Sequence, residues 1–234
     1  MNGLHVESGH SYTWPSVPWG RWVTAILAGT LTGGFAAWAY YDAFFRPLSH
    51  TFGLWILTVA LLSARQSRPK AIAASCLALL AAVVSFYVGK QVMYGIRYPG
   101  MPYELNSTQL TAWGVLAIVA GVALGAVFAG IGTTGHRGAI ATAAAIGLLA
   151  ADAYRRANNY SSDGIVVISF GVLAVAAVLV LAVRTPRQLL QITAWTLPAI
   201  VLGYGLVSAP DALEQVSISM RGHQLRVLPP DSTI

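Results

Sequence analysis

Apolar residues in this chain neither alternate nor recur on one helical face; they run continuously, and the runs are long. Crossing hydrocarbon as a helix takes about 20 predominantly apolar residues. That criterion selects seven stretches, at residues 21–41, 50–64, 71–95, 109–132, 138–154, 164–183 and 188–208. The second is short, so the count is about seven spans, or six if it does not cross. Pro198 inside the seventh predicts a kink, because its ring removes a backbone donor and clashes with the preceding turn. Ahead of the spans, residues 1–20 carry Trp14, Pro15, Pro18 and Trp19, which suits a segment lying at headgroup level. Behind them, Val216–Met220 and Gln224–Leu228 alternate polar and apolar residues around Arg221, Gly222 and His223, which predicts a small β-hairpin. The expected fold is all-α: a polytopic membrane helix bundle over 21–208, with short loops, an interfacial tail over 1–20 and an extramembrane tail over 209–234.

Composition sharpens the class. Of 234 residues, 56% are hydrophobic and 9% charged, against roughly 25% charged in an ordinary soluble domain. The net charge of +6 does not point to nucleic acid, because the basic residues fall singly or in twos and threes at the ends of apolar runs. Lipid headgroups and topology account for them better. The single cysteine, Cys76, lies within an apolar run and excludes an internal disulfide. Arg21 directly precedes the first span, which reads as an uncleaved signal anchor.

Charge also orients the spans. Arg21, Arg65, Arg68, Lys70, Arg137, Arg184 and Arg187 fall on the side of the amino terminus, and Arg46, Arg97, Arg155 and Arg156 on the other. Positive charge favours the cytoplasmic side. The expected location is the bacterial plasma membrane, multi-pass, with the amino terminus inside and the carboxyl terminus outside.

Two spans carry small residues at every fourth position: Ala25, Gly29, Gly33 and Ala37, then Ala117, Gly121, Gly125 and Ala129. Residues four apart share a helix face, so each set makes a seam where another backbone can approach closely. The plain reading is packing within the bundle; the alternatives are docking of a membrane protein partner and an inverted three-helix repeat of the transporter kind.

The polar chemistry gathers where the first, third and fifth spans end. Asp42, Lys90 and Asp152 fall there with Tyr40, Tyr41, Tyr87, Tyr94, Arg97, Tyr98, Tyr103, Glu104, Tyr154, Arg155, Arg156 and Tyr160. On the third span Tyr87, Lys90, Tyr94 and Arg97 follow a three-, four- and three-residue spacing that stacks phenols and cations along one face. Such a stripe can receive an anionic or aromatic ligand; it is also what an aromatic belt with snorkelling basic anchors looks like. Lys90 comes 19 residues after Ala71, about 28 Å along the helix and close to the far headgroup plane. The apolar run before Asp152, Gly138–Ala151, is only about 21 Å long, which predicts a carboxylate below the interface paired with Arg155, Arg156 or Lys90.

No P-loop, HExxH, GxSxG or Gly-rich dinucleotide turn occurs. His50, His136 and His223 fall in separate connections, so neither a metal centre nor a cofactor is expected. Leu54–Pro69, Leu77–Val88, Trp113–Gly132 and Gly147–Arg156 resemble a family of small, uncharacterised integral membrane proteins of high-GC Gram-positive bacteria, over Gly53 to Arg156 and by helix texture alone. That resemblance implies membrane location. The general build, short spans with an outward-facing polar mouth, is also similar to the substrate-binding subunits of energy-coupling-factor vitamin transporters. The expected function is binding of a small ligand at the outer mouth, as a transporter or as the substrate-binding subunit of one, through Asp42, Tyr87, Lys90, Tyr94, Arg97, Asp152, Arg155 and Arg156. A structural or accessory subunit of a larger membrane complex is the alternative, and a membrane-embedded enzyme acting on a lipid or isoprenoid is the third.

Overall fold

A computed structural model describes residues 19–101, 103–159 and 164–227, with side chains through Ala209. Its elements are α1 (Trp19–Ala39), α2 (Arg46–Ser49), α3 (Gly53–Ser63), α4 (Arg68–Arg97), α5 (Ser107–Phe128), α6 (His136–Asn159), α7 (Gly164–Ala182) and α8 (Pro186–Val227). Among the described residues there is no strand. Five helices are long and apolar enough to cross a membrane: α1, α4, α5, α7 and the Pro186–Ala209 part of α8. Lipid offers no hydrogen bonds to the backbone, so a chain this apolar satisfies its amides within helices.

Two helices organise the rest. α4 has α1 on one flank and α5 on the other, while α7 and α8 both lean on α6. Gly29 and Gly33 of α1 lie against the backbone of Ala78 and Ala82 so closely that neither has room for a Cβ. Gly121 and Gly125 of α5 approach Cys76 and Ile72 of the same α4, where a Cβ would sit 2.8 Å from backbone atoms. Both small-residue seams are therefore occupied by α4 within the chain, as close backbone packing in an apolar medium requires. In the second group Gly147 of α6 meets Ala199 and Gly203 of α8. Between the groups stands α3, touching α4, α5, α6 and α7. It has 11 residues and so measures about 16 Å, roughly half the hydrocarbon thickness.

Hydrogen bonds define one end of the bundle. Arg65 N–H donates to Ile131 O at 3.0 Å, Arg65 Nη2 donates to Leu181 O, and Gln188 Nε2 donates to Thr133 O at 3.0 Å. These bonds tie the close of α3 to the α5–α6 connection, the close of α7 and the opening of α8. Arg65, Arg68, Lys70, Arg137, Arg184 and Arg187 all belong to this arginine end. The opposite end holds the tyrosine-rich connections.

Three expectations change. Where alternation predicts a hairpin, the backbone is helical: α8 runs through Val216–Met220 and on to Val227. Leu213, Glu214, Gln215, Met220, Gln224 and Leu225 are good helix formers, and five alternating residues are too weak a signal to override them. The fifth span is longer than its apolar run, since α6 starts at His136 and continues to Asn159; Asp152 lies about 24 Å along it. Its burial thus has a cause other than a short helix. Finally, the one-turn helix α2 had no signal in the hydropathy pattern. The tail over residues 1–18, Tyr160 and the hairpin's last residue, Leu228, lie outside the described residues.

Candidate functional site: a tyrosine-lined mouth above a buried carboxylate

The predicted site residues separate into two groups. The first forms a mouth where α1 and α4 end. Lys90 is half-buried there, with Nζ 4.1 Å from the ring centre of Tyr40 and 5.6 Å from that of Phe86. Among the described residues its ammonium has no carboxylate, carbonyl or hydroxyl partner. Tyr41 OH approaches Lys90 O at 3.4 Å, and Arg97 Nη1 donates to Tyr41 O at 2.8 Å, fixing the turn after α1 to α4. The ring of Tyr94 stands 5.0 Å from both Tyr98 and Tyr103, and Tyr40 is 5.1 Å from Tyr41 and 5.4 Å from His50. Burial pushes the Tyr41 phenol above its ordinary 10.0, and the neighbouring phenols of Tyr103, Tyr40, Tyr98 and Tyr94 push it further. Tyr103 is raised in the same way, by burial and then by Tyr40.

The second group lies under the connection between α1 and α3. Asp152, 1% exposed, accepts the Gly53 N–H on Oδ2 at 2.9 Å and faces Arg155 Nη2 with Oδ1 at 3.4 Å. Gly53 opens α3, and the N-cap residue Phe52 contributes no capping side chain. The carboxylate of α6 thus does from across the bundle what a capping Ser or Asp does locally, in the orientation the helix dipole favours. Arg155 also lies over the Phe52 ring, 5.5 Å away. A Cβ on Gly53 would come within 2.9 Å of the Phe170 ring, so any larger residue there would have to push that ring of α7 aside.

The remaining predicted residues have other places. Asp42 Oδ1 accepts from the N–H groups of Phe44 and Phe45, at 2.9 and 2.8 Å, closing a turn after α1. Tyr87 is buried below the mouth, edge-on to Phe86 at 5.7 Å. Arg156 follows on α6, half-buried. Lys90, Tyr94 and Arg97 thus gather with Tyr40, Tyr41, Tyr98 and Tyr103, while Asp152 pairs with Arg155 and not with Lys90. The grouping by span ends missed Phe52 and Gly53. Their signal was a helix opening on Phe-Gly, with no capping residue to satisfy its first amides.

Chemically, the mouth offers a cation and an aromatic wall, and the buried carboxylate offers a polar anchor for a broken helix. No group of three His, Cys, Asp or Glu that could hold a metal ion occurs among the described residues. No curated protein and no solved structure matches the chain. Residues 13–213 match a family of unknown function, DUF6518, and the chain belongs to that family.

Proposed function

We propose that this is an integral membrane protein that binds a small anionic or aromatic ligand at its tyrosine-lined end, as a transporter or as the substrate-binding subunit of one. The observation that carries the reading is Lys90. Its ammonium is half-buried, faces the Tyr40 and Phe86 rings, and has three N–H donors without an acceptor among the described residues. A carboxylate or phosphate on the ligand would supply the acceptor through charge-assisted hydrogen bonds, and the Tyr94, Tyr98 and Tyr103 rings would cover its flat part. The short α3 adds support, since broken helices that line a site near the bilayer midplane recur in transporters. In the orientation we propose, the arginine end is cytoplasmic, the mouth opens outward and the carboxyl terminus is outside.

The test is mass spectrometry of small molecules released from gently purified protein. A compound carrying an anionic group and a ring should accompany the wild type and be missing from Lys90→Met. Equal amounts from both proteins would reduce the mouth to an aromatic anchor. A second reading, an accessory subunit of a membrane complex, draws on α8, which runs 18 residues past Ala209 to Val227. A stoichiometric protein partner lost on truncation after Ala209 would favour it.

A further inference from the structure

Where α3 stops, at the arginine end, one residue bonds both groups of helices. Arg65 N–H donates to Ile131 O at 3.0 Å, in the connection after α5, and its guanidinium donates to Leu181 O, in the last turn of α7. α5 packs with α4, and α7 with α6. Leu181 O is one of the carbonyls that a helix end leaves without a partner in its own helix, and a cation suits that end of the dipole. Gly132, at φ +78°, makes room for the contact: a Cβ there would come 2.7 Å from Arg65 Nε and 3.2 Å from Leu181 O. Arg65 itself sits at φ +59°, alone among the described non-glycine residues in the left-handed region. Glycine takes that conformation without steric cost, and a side chain does not. The guanidinium is thus held at this corner against the preference of its own backbone.

Behind this clamp α3 makes a series of polar contacts with other helices. Ser63 and Ser75, both 0% exposed, share a hydrogen bond of 2.9 Å between α3 and α4; further along, Thr58 meets Thr32 of α1 at 2.8 Å; and the opening of α3 meets Asp152. The Arg65 side-chain bond differs from the buried ones. Arg65 is exposed, so its guanidinium can exchange a carbonyl for water at little net cost. We infer that Arg65 is the latch of an inner gate. While its bonds hold, α3 seals the arginine end between the two helix groups; when the guanidinium lets go, the Ser63–Ser75 region opens to that side. The inference rests on the reading of the chain as a transporter and supplies its second opening, since alternating access needs a closure on the side away from the binding site.

The experiment measures how fast N-ethylmaleimide labels single cysteines in the full-length protein, in detergent and in the Cys76→Ser background. Ser75→Cys reports on the region behind the clamp, and Val167→Cys, on α7 and 1% exposed, reports on loosening of the whole bundle. Arg65→Gly removes the guanidinium and keeps the backbone N–H, in a residue that accepts φ +59°, so the variant should melt close to the parent protein. Its Ser75→Cys labelling should be faster by about tenfold, as a shift of about 1.4 kcal/mol in a local opening would give. Val167→Cys should label at the parent rate. Arg68→Gln, three residues on, should change neither. An unchanged Ser75→Cys rate in Arg65→Gly would overturn the latch. So would an equal rise at Val167→Cys, which marks general loosening, or an equal rise in Arg68→Gln. Loss of the bound compound in Lys90→Met tests the mouth and not the clamp, so the two readings can fail separately.

Discussion

Asp152 and Lys90 look alike in the sequence, each an ionisable residue at the end of an apolar run, and they call for opposite outcomes on substitution. Asp152→Ala removes the acceptor of Gly53 N–H and the carboxylate facing Arg155, itself 7% exposed. Breaking one side of a buried pair costs about 3–5 kcal/mol, so unfolding in detergent should show a large loss of stability, and Asp152→Asn, which keeps an acceptor, a smaller one. Lys90→Met should cost no more than about 1 kcal/mol, the scale of a partly exposed cation–π contact, while removing the bound compound. The tyrosines make a third case. Folding raises Tyr41 and Tyr103 above the ordinary 10.0, so the fold favours their neutral form; that contribution is complete below pH 10.0 and is lost as pH rises through the folded values. An absorbance titration of phenol ionisation should lose an alkaline-shifted step in Tyr41→Phe. The sequence showed these residues to be at one end of the bundle. What it did not show is that Gly53, 99 positions from Asp152, brings a helix terminus to the carboxylate.

At the scale of elements, the four-residue spacing in α1 and α5 revealed the packing faces, because a helix face is a local property. It did not reveal that both faces would meet the same helix, which depends on tertiary arrangement. Adjacent glycines in α1 test the seam directly. Gly33 has no room for a Cβ beside Ala82, whereas nothing lies within 4 Å of one on Gly34. Gly33→Ala should lower stability by about 1–3 kcal/mol as overpacking does, and Gly34→Ala should raise it by up to about 1 kcal/mol through helix propensity. Thermal or denaturant unfolding of the two variants side by side reads the difference. α3 was the least legible element, since an 11-residue apolar helix has the hydropathy of a span without its length. The hairpin expectation failed for a related reason: alternation over a few residues is compatible with either state, and the neighbouring helix formers decide.

On the scale of the whole molecule, two groups of three helices, built on α4 and α6, enclose α3. Apolar run length was enough to mark the long helices, because lipid imposes it on each helix separately; the grouping depends on glycine contacts between distant helices, which run length does not encode. Arg65, Arg68, Lys70, Arg137, Arg184 and Arg187 stand at one end, and the smaller basic set of Arg46, Lys90, Arg97, Arg155 and Arg156 shares the other with the described acidic side chains; the heavier positive end is the one proposed as cytoplasmic. An impermeant label applied to intact cells should therefore reach a cysteine placed at Asn106 in the Cys76→Ser background and not one placed at Thr134. The opposite pattern would reverse the proposed orientation. The α1 seam also bears on how the chain is made. It emerges with Ala37, while its partner surface is complete only at Gly89 of α4, 52 residues later. At about 5–20 residues per second, translation leaves that seam bare for roughly 3–10 s. During that interval α1 is a lone segment with two glycines facing whatever holds it, so the insertion machinery, and not the finished bundle, is its first packing partner.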